Sequence, residues 1–224
     1  QEGDTVLGER VSLVPQPQAS VVIIDQATGY VKAVVGGRGK KEASLTLNRA
    51  TSTRRQPGST FKPLAAYAPA IDHNGKTLST VYDNAPYTYS SGTELKNWDS
   101  DYGYSGLETI HSALIKSINV VAVKCLTEIT PQVALKYLER FGITTLYNND
   151  MDENGNILSD AYQPLALGGI TDGVINLELT AAYATLANGG NYIKPKFYSR
   201  IEDSEGNILL DNTSEKTQVV QEST

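Results

Sequence analysis

The 224 residues carry 19 Lys and Arg against 25 Asp and Glu, a formal net charge of −6, with 40% hydrophobic and 20% charged residues. This is globular composition with enough apolar side chains for a sizeable core, which excludes a chain disordered throughout. The acidic balance argues against a nucleic-acid binder, and no apolar run approaches the roughly 20 residues that cross a bilayer. The first residue is Gln1 and not Met, so the sequence is expected to be part of a longer chain with any anchor upstream.

Residues 1–18 end in Pro15-Gln16-Pro17-Gln18 and read as an extended connector. The β-branched runs 20–25 and 30–35, around Gln26-Ala27-Thr28-Gly29 and closed by Gly36-Gly37, predict a β-hairpin. Residues 38–58 are polar and read as a loop. An Ala-rich helix is predicted over 59–71, with Pro63 and Pro69 against it. Residues 74–105 are loop-like, with Tyr82, Tyr87, Tyr89, Trp98, Tyr102 and Tyr104 among Ser, Gly and Asp.

Helices are predicted over 106–116, 120–128 and 132–141, the last opened by Pro131 and stopped by Gly142. Residues 149–160 form an acidic loop. Its Asn149, Asp150, Asp152 and Asn154 invite calcium, but the closing glutamate of an EF-hand is missing and the loop reads as solvated surface. The predicted helix over 177–188 ends at Gly189-Gly190. Residues 197–201 and 208–210 flank Asp203-Ser204-Glu205-Gly206-Asn207 and predict a second hairpin, followed by a polar tail over 212–224 that suits a nicking site.

Two clusters could carry chemistry. In Ser59-Thr60-Phe61-Lys62 a helix puts positions i and i+3 on one face, so the Lys62 amine can sit beside the Ser59 hydroxyl. A serine hydroxyl is a poor nucleophile until a base takes its proton. Lysine serves only if burial or nearby positive charge keeps part of it neutral. In Ser117-Ile118-Asn119 the hydroxyl can relay a proton and the carboxamide can hold a substrate amide. Each triplet alone arises by chance roughly once in such a chain. The plain alternatives are a capping Ser59 with a surface Lys62, and an ordinary N-cap before residue 120.

His73 and His111 are too few and too isolated for a metal site, and the lone Cys125 reads as a buried thiol, excluding a disulfide framework or cysteine-based zinc site. Neither cluster calls for a metal or an organic cofactor. Arg54-Arg55 either raises the positive potential near Lys62 or braces its loop through carboxylates. Trp98 and the surrounding tyrosines either pack on substrate or hold a long loop by their own packing.

The contexts of the two triplets are more specific. Asn48-Arg49-Ala50 followed by Arg55-Gln56-Pro57-Gly58-Ser59-Thr60-Phe61-Lys62-Pro63 closely resembles the active-serine segment of class A (bifunctional) penicillin-binding proteins, as does Val31-Lys32-Ala33-Val34-Val35-Gly36-Gly37 ahead of it. Ala113-Leu114-Ile115-Lys116-Ser117-Ile118-Asn119 is similar to the family's second motif. Leu165-Ala166-Leu167-Gly168-Gly169 and residues 177–190 resemble its late helix. The resemblance runs from about residue 16 to residue 210.

It implies an α/β fold shared with serine β-lactamases: an antiparallel sheet beside a helical region, with the site at their junction. It implies that Ser59 attacks a D-alanyl-D-alanine carbonyl while its backbone amide donates to the oxyanion. Lys62 would take the proton, Ser117 would pass one to the leaving amine, and Asn119 would bond the substrate amide and Lys62. Peptidoglycan stem peptides and β-lactams would be the partners, with Trp98 a further candidate at the substrate. The setting would be the outer face of the bacterial cell membrane, with a glycosyltransferase domain upstream.

One departure stands out: neither Lys-Thr-Gly nor Lys-Ser-Gly occurs, and Lys216-Thr217-Gln218 lacks the glycine. In the family this third motif lies on a later strand that lines the cleft. The expectation is therefore the amino-terminal portion of a transpeptidase domain over 19–224, completed by its own downstream segment as a separate chain or as further residues and needing it for full activity. The other readings are a β-lactamase or β-lactam sensor of the same fold, against which the lack of a Glu-x-x-Leu-Asn segment counts, and a non-catalytic scaffold.

Overall fold

A computed structural model describes residues 17–41, 43–99, 101 and 103–224; the expected connector lies outside it as far as residue 16. Strands β1 (Val21–Ile24) and β2 (Val31–Val35) form the first predicted hairpin, with Val21 opposite Val35 and Ile23 opposite Ala33. The N–H groups of Thr28 and Gly29 close the turn on the Asp25 carbonyl. Gly29 is required twice over: its φ is +75°, and a Cβ would sit 2.6 Å from Ile193 Cγ2.

After α1 (Arg49–Ser52) and β3 (Arg54–Arg55), the helix predicted over 59–71 is continuous but of three kinds. A 3-10 turn (Gly58–Phe61) passes into a π-helical stretch (Pro63–Tyr67) and then α2 (Ala68–Asn74), which ends at left-handed Gly75. The winding changes where the prolines lack a donor: Pro63 opens the wide turn, and the Ala68 N–H reaches back to its carbonyl. Lys62 keeps helical angles despite the proline after it.

Residues 74–105 are not all loop. They contain β4 (Val81–Asn84), β5 (Tyr87–Thr88) and β6 (Glu94–Leu95). The helix predicted over 106–116 is half strand: β7 (Gly106–Thr109) pairs with β4, and only α3 (Ile110–Ile115) is helical. Gly106 has φ +73°, and the Thr109 hydroxyl caps α3 by accepting the Ser112 N–H at 3.1 Å. The buried alternate positions of β4 are Tyr82 and Asn84, so apolar periodicity does not reveal the strand.

Helices α4 (Asn119–Ile129) and α5 (Pro131–Arg140) follow, with α4 at the centre of the core. Val120, Val121, Ala122, Val123, Cys125, Leu126 and Ile129 are all buried, against Leu64, Ala65, Ala66, Leu135 and Leu165 among others. Each large side chain among them contributes about 1.5–3 kcal/mol of burial.

The acidic loop over 149–160 is a hairpin, β8 (Asn148–Met151) with β9 (Ile157–Ser159). The Asp152 carboxylate is occupied by its own turn, accepting the N–H groups of Asn154 and Asn156 and the Asn156 side chain. A 3-10 turn (Gln163–Leu167), β10 (Val174–Ile175), α6 (Asn176–Ala187) and β11 (Asn191–Ile193) come next. The second predicted hairpin is β12 (Arg200–Glu202) with β13 (Ile208–Asp211), and β14 (Lys216–Gln218) pairs with β11. Among the described residues every sheet is a two-stranded antiparallel pair.

The tail is not a free end suited to nicking beyond residue 215. β14 pairs it, Val219 and Val220 are buried, and the Gln221 N–H donates to Asp72 at 2.7 Å. Over residues 54–62 the chain passes from strand β3 into the helical run.

Candidate active site

The segment before Ser59 is clamped by residues 168–175. β3 pairs with β10, Arg55 opposite Val174. The Gln56 carboxamide donates to the Ile170 carbonyl at 2.5 Å and accepts the Ile170 N–H at 3.2 Å. Two glycines permit the approach: a Cβ on Gly168 would lie 2.6 Å from Gly58 N, and one on Gly173 2.4 Å from the Arg55 carbonyl carbon. Arg54 forms an ion pair with Asp172, which also accepts the Tyr147 hydroxyl at 2.8 Å. This is the bracing expected of the arginine pair, made by Arg54. From the other side, the Tyr183 hydroxyl on α6 donates to the Thr60 carbonyl at 2.6 Å.

Within this clamp the Lys62 N–H donates to the Ser59 carbonyl. In a 3-10 turn residues i and i+3 eclipse, so both side chains leave the backbone on one side. Ser59 is exposed, and among the described residues its hydroxyl has no hydrogen-bond partner; no bond joins it to the Lys62 amine. Lys62 is only 1% exposed. Its Nζ meets three oxygens: the Ser117 carbonyl at 2.5 Å, Ser117 Oγ at 3.0 Å and Asn119 Oδ1 at 2.7 Å. None carries a formal charge, and burial lowers the amine from its ordinary range to about 8. A surface lysine, the plain alternative, is excluded.

Ser117 lies between α3 and α4 with φ +55°, left-handed backbone that costs a non-glycine residue roughly 1–2 kcal/mol. The bend turns both its carbonyl and its hydroxyl toward Lys62. It does not cap α4: the N-cap is Ile118, which has no capping side chain. Asn97, from the loop between β6 and β7, supplies the acceptor instead. Its Oδ1 receives the N–H groups of Asn119 at 3.0 Å and Val120 at 3.2 Å. Asn119 is thereby free to use its carboxamide elsewhere, Oδ1 on Lys62 and Nδ2 on the Lys96 carbonyl at 2.9 Å.

Trp98 stands beside this segment, 74% exposed, its indole N–H donating to the Lys116 carbonyl at 3.1 Å. Lys116 itself pairs with Glu108 at 2.7 Å, which holds that carboxyl down at about 2. Ser59, Lys62, Ser117, Asn119 and Trp98 thus lie on two neighbouring segments, 59–62 and 96–119. Asn97 and Gln56 have no role in the sequence reading; each acts through a side-chain amide on backbone far along the chain, a pairing that leaves no local pattern. Cys125 is fully buried and its thiol is pushed up to about 11, so it is inert. His73 closes α2 and His111 is exposed on α3. Among the described residues no group of three or more His, Cys, Asp or Glu is arranged to hold a metal, and no helix is long and apolar enough to cross a membrane.

The family profile described as penicillin binding protein transpeptidase domain matches residues 19–224. Penicillin-binding protein 1A of Clostridium tetani is 36% identical over 228 residues, covering 97% of this chain and 28% of that protein. The crystal structure of penicillin-binding protein 1A from Haemophilus influenzae superposes with a TM-score of 0.70 at 28% identity, covering 92% of this chain and 29% of that one. The structure of PonA1 from Mycobacterium tuberculosis in complex with penicillin V shares the fold, with a TM-score of 0.73 at 24% identity over 92% of this chain and 53% of that one. The chain spans about a quarter of the length of the curated relatives it matches.

Proposed function

The chain belongs to the transpeptidase-domain family of penicillin-binding proteins, and from that premise we propose that it performs serine acyl transfer on D-alanyl-D-alanine stem peptides and is acylated by β-lactams. Ser59 Oγ attacks the carbonyl carbon, its proton passes to Lys62 Nζ, and the bond to the leaving amine breaks as that nitrogen receives a proton. Water or an acceptor amine then releases the acyl group. The observation that carries this reading is the buried Lys62 amine, one turn from Ser59 and bonded to Ser117 and Asn119.

The hydrogen-bond partners of Lys62 support a direction for the proton. A neutral amine keeps two hydrogens and one lone pair. The Ser117 carbonyl and Asn119 Oδ1 accept only, so they retain the two hydrogens. The lone pair takes the Ser59 proton, and the ammonium so formed donates to Ser117 Oγ, the one partner of the three that can pass its own hydroxyl proton on to the leaving amine. The Ser59 N–H lies in the first turn of its helical segment, where no intrahelical acceptor exists, and serves as one oxyanion donor. Asn119 Nδ2 retains a second hydrogen for a substrate carbonyl. Trp98 offers its exposed ring as a wall for the bound peptide.

The second oxyanion donor and a cation for the substrate carboxylate come, in this proposal, from a Lys-Thr-Gly strand of a downstream segment, which the 224 residues do not contain. The reaction is placed at the outer face of the cell membrane. A single 24.2 kDa species that binds penicillin unaided, seen by intact mass spectrometry, would contradict the need for that segment. A fluorescent penicillin followed by peptide mapping tests the nucleophile: the adduct is expected on Ser59 and released slowly. A label on another residue overturns the assignment, and turnover of many equivalents per minute favours a β-lactamase.

A further inference from the structure

We propose that Asn97 is a positioning residue for acylation: it holds the Ser117–Asn119 bend against Lys62, and so sets the geometry of the base without touching substrate. This rests on the reading of Ser59 as nucleophile. Asn97 is 4% exposed and every polar atom of its side chain is placed. Oδ1 accepts the first two N–H groups of α4, at Asn119 and Val120. Nδ2 donates to Asn84 Oδ1 at 2.8 Å, and Asn84 Nδ2 donates to Ser105 Oγ at 2.8 Å. The orientation of the Asn97 amide is thus dictated from β4, a strand outside the site.

Its neighbours act on the same target. The Lys96 carbonyl receives Asn119 Nδ2, and the Trp98 indole donates to the Lys116 carbonyl. Three consecutive residues therefore fasten the segment that presents three oxygens to Lys62. That segment needs an outside fastening, because Ser117 is left-handed without being glycine and Ile118 cannot cap α4. Without Asn97 the first turn of α4 loses both acceptors, the bend relaxes and water reaches Lys62.

The test uses the protein expressed from its whole gene, with acylation by a fluorescent penicillin followed against pH. Asn97→Ala is expected to lower the second-order acylation rate roughly ten- to a hundredfold, to leave the adduct on Ser59, and to move the pH midpoint upward as water relieves the burial of Lys62. Asn97→Asp keeps an acceptor for both N–H groups but loses the donor to Asn84 Oδ1, and is expected to recover part of the rate. Asn84→Ala, which leaves Asn97 intact but unoriented, is expected to fall between. A wild-type rate and midpoint in Asn97→Ala overturns the proposal. If that variant does not fold, wild-type behaviour of folded Asn84→Ala overturns it. An adduct away from Ser59 in the unmutated protein defeats the nucleophile assignment instead, and is read separately.

Discussion

Lys62 Nζ and Asn119 Oδ1 stand 2.7 Å apart although 57 positions separate them in sequence. The contact joins the segment carrying Ser59, the proposed nucleophile, to the first turn of the central helix, and with Ser117 it surrounds a buried amine by oxygens that bear no formal charge. Burial without a counter-charge is what brings the amine within reach of neutrality.

That burial has a consequence for stability. The Lys62 value in the fold, about 8, lies below its ordinary 10.5. Below 8 the amine is charged both folded and unfolded, and the full cost of burying the charge is present. Between 8 and 10.5 the unfolded chain holds the extra proton, so the Lys62 contribution becomes more favourable as pH rises. Denaturant titrations at several pH values should therefore show the stability of the protein rising, relative to Lys62→Met, by on the order of 3 kcal/mol across that window. A difference that stays constant with pH counts against the buried charge.

Ser117 separates strain from chemistry. Ser117→Gly removes the hydroxyl and relieves the left-handed backbone, whereas Ser117→Ala removes the hydroxyl and keeps the strain. Urea denaturation should find the glycine variant more stable than the alanine variant by about 1 kcal/mol. Acylation should be slowed in both by on the order of a hundredfold. Equal stabilities would deny the strain, and undiminished acylation would deny the relay.

Gly173 tests the clamp. Its φ is +94° and a Cβ would strike the Arg55 backbone. Gly173→Ala should displace β10 from β3, lower stability by roughly 2–4 kcal/mol and slow acylation of Ser59, although no atom of residue 173 reaches the site. Calorimetry and penicillin labelling together check both effects. An unperturbed melting temperature would show that the two segments are not locked.

Much of this fold is legible in the sequence where punctuation and apolar content agree. The first hairpin has β-branched runs on either side of a turn ending in Gly29. α5 opens on Pro131 and has Gly142 after it, and α6 stops just before Gly189-Gly190. Legibility fails where burial is polar. β4 alternates correctly, but its inward residues are Tyr82 and Asn84. Asp152-Glu153-Asn154-Gly155-Asn156 and Asp203-Ser204-Glu205-Gly206-Asn207 make the same turn, the aspartate accepting from the same positions. Only the second is recognisable as a hairpin, because its flanks are apolar and those of the first include Asn148, Asn149 and Asp150. At the site, Ser59, Lys62, Ser117 and Asn119 can be picked out by motif. Asn97 cannot, and the roles of Gln56 and Gly168 cannot either although both lie in stretches that carry the resemblance, because their partners are distant stretches of backbone.

Trp98 should contribute little to folding, being 74% exposed. Trp98→Ala is expected to leave stability within about 0.5 kcal/mol while weakening the encounter with peptide substrate, seen as a raised KM, with a smaller fall in kcat from the lost hold on the Lys116 carbonyl. A large loss of stability with unchanged KM would assign the ring to loop packing.

The pH dependence of acylation tests the assignment of Lys62 as base most directly. Stopped-flow measurement with a fluorescent penicillin, from about pH 6 to about pH 10, should give a rate that climbs through a midpoint near 8 and then levels, and Lys62→Arg should abolish the climb along with nearly all the rate. A rate independent of pH over that range, or a Lys62→Met variant that acylates as fast as the unmutated protein, would contradict it.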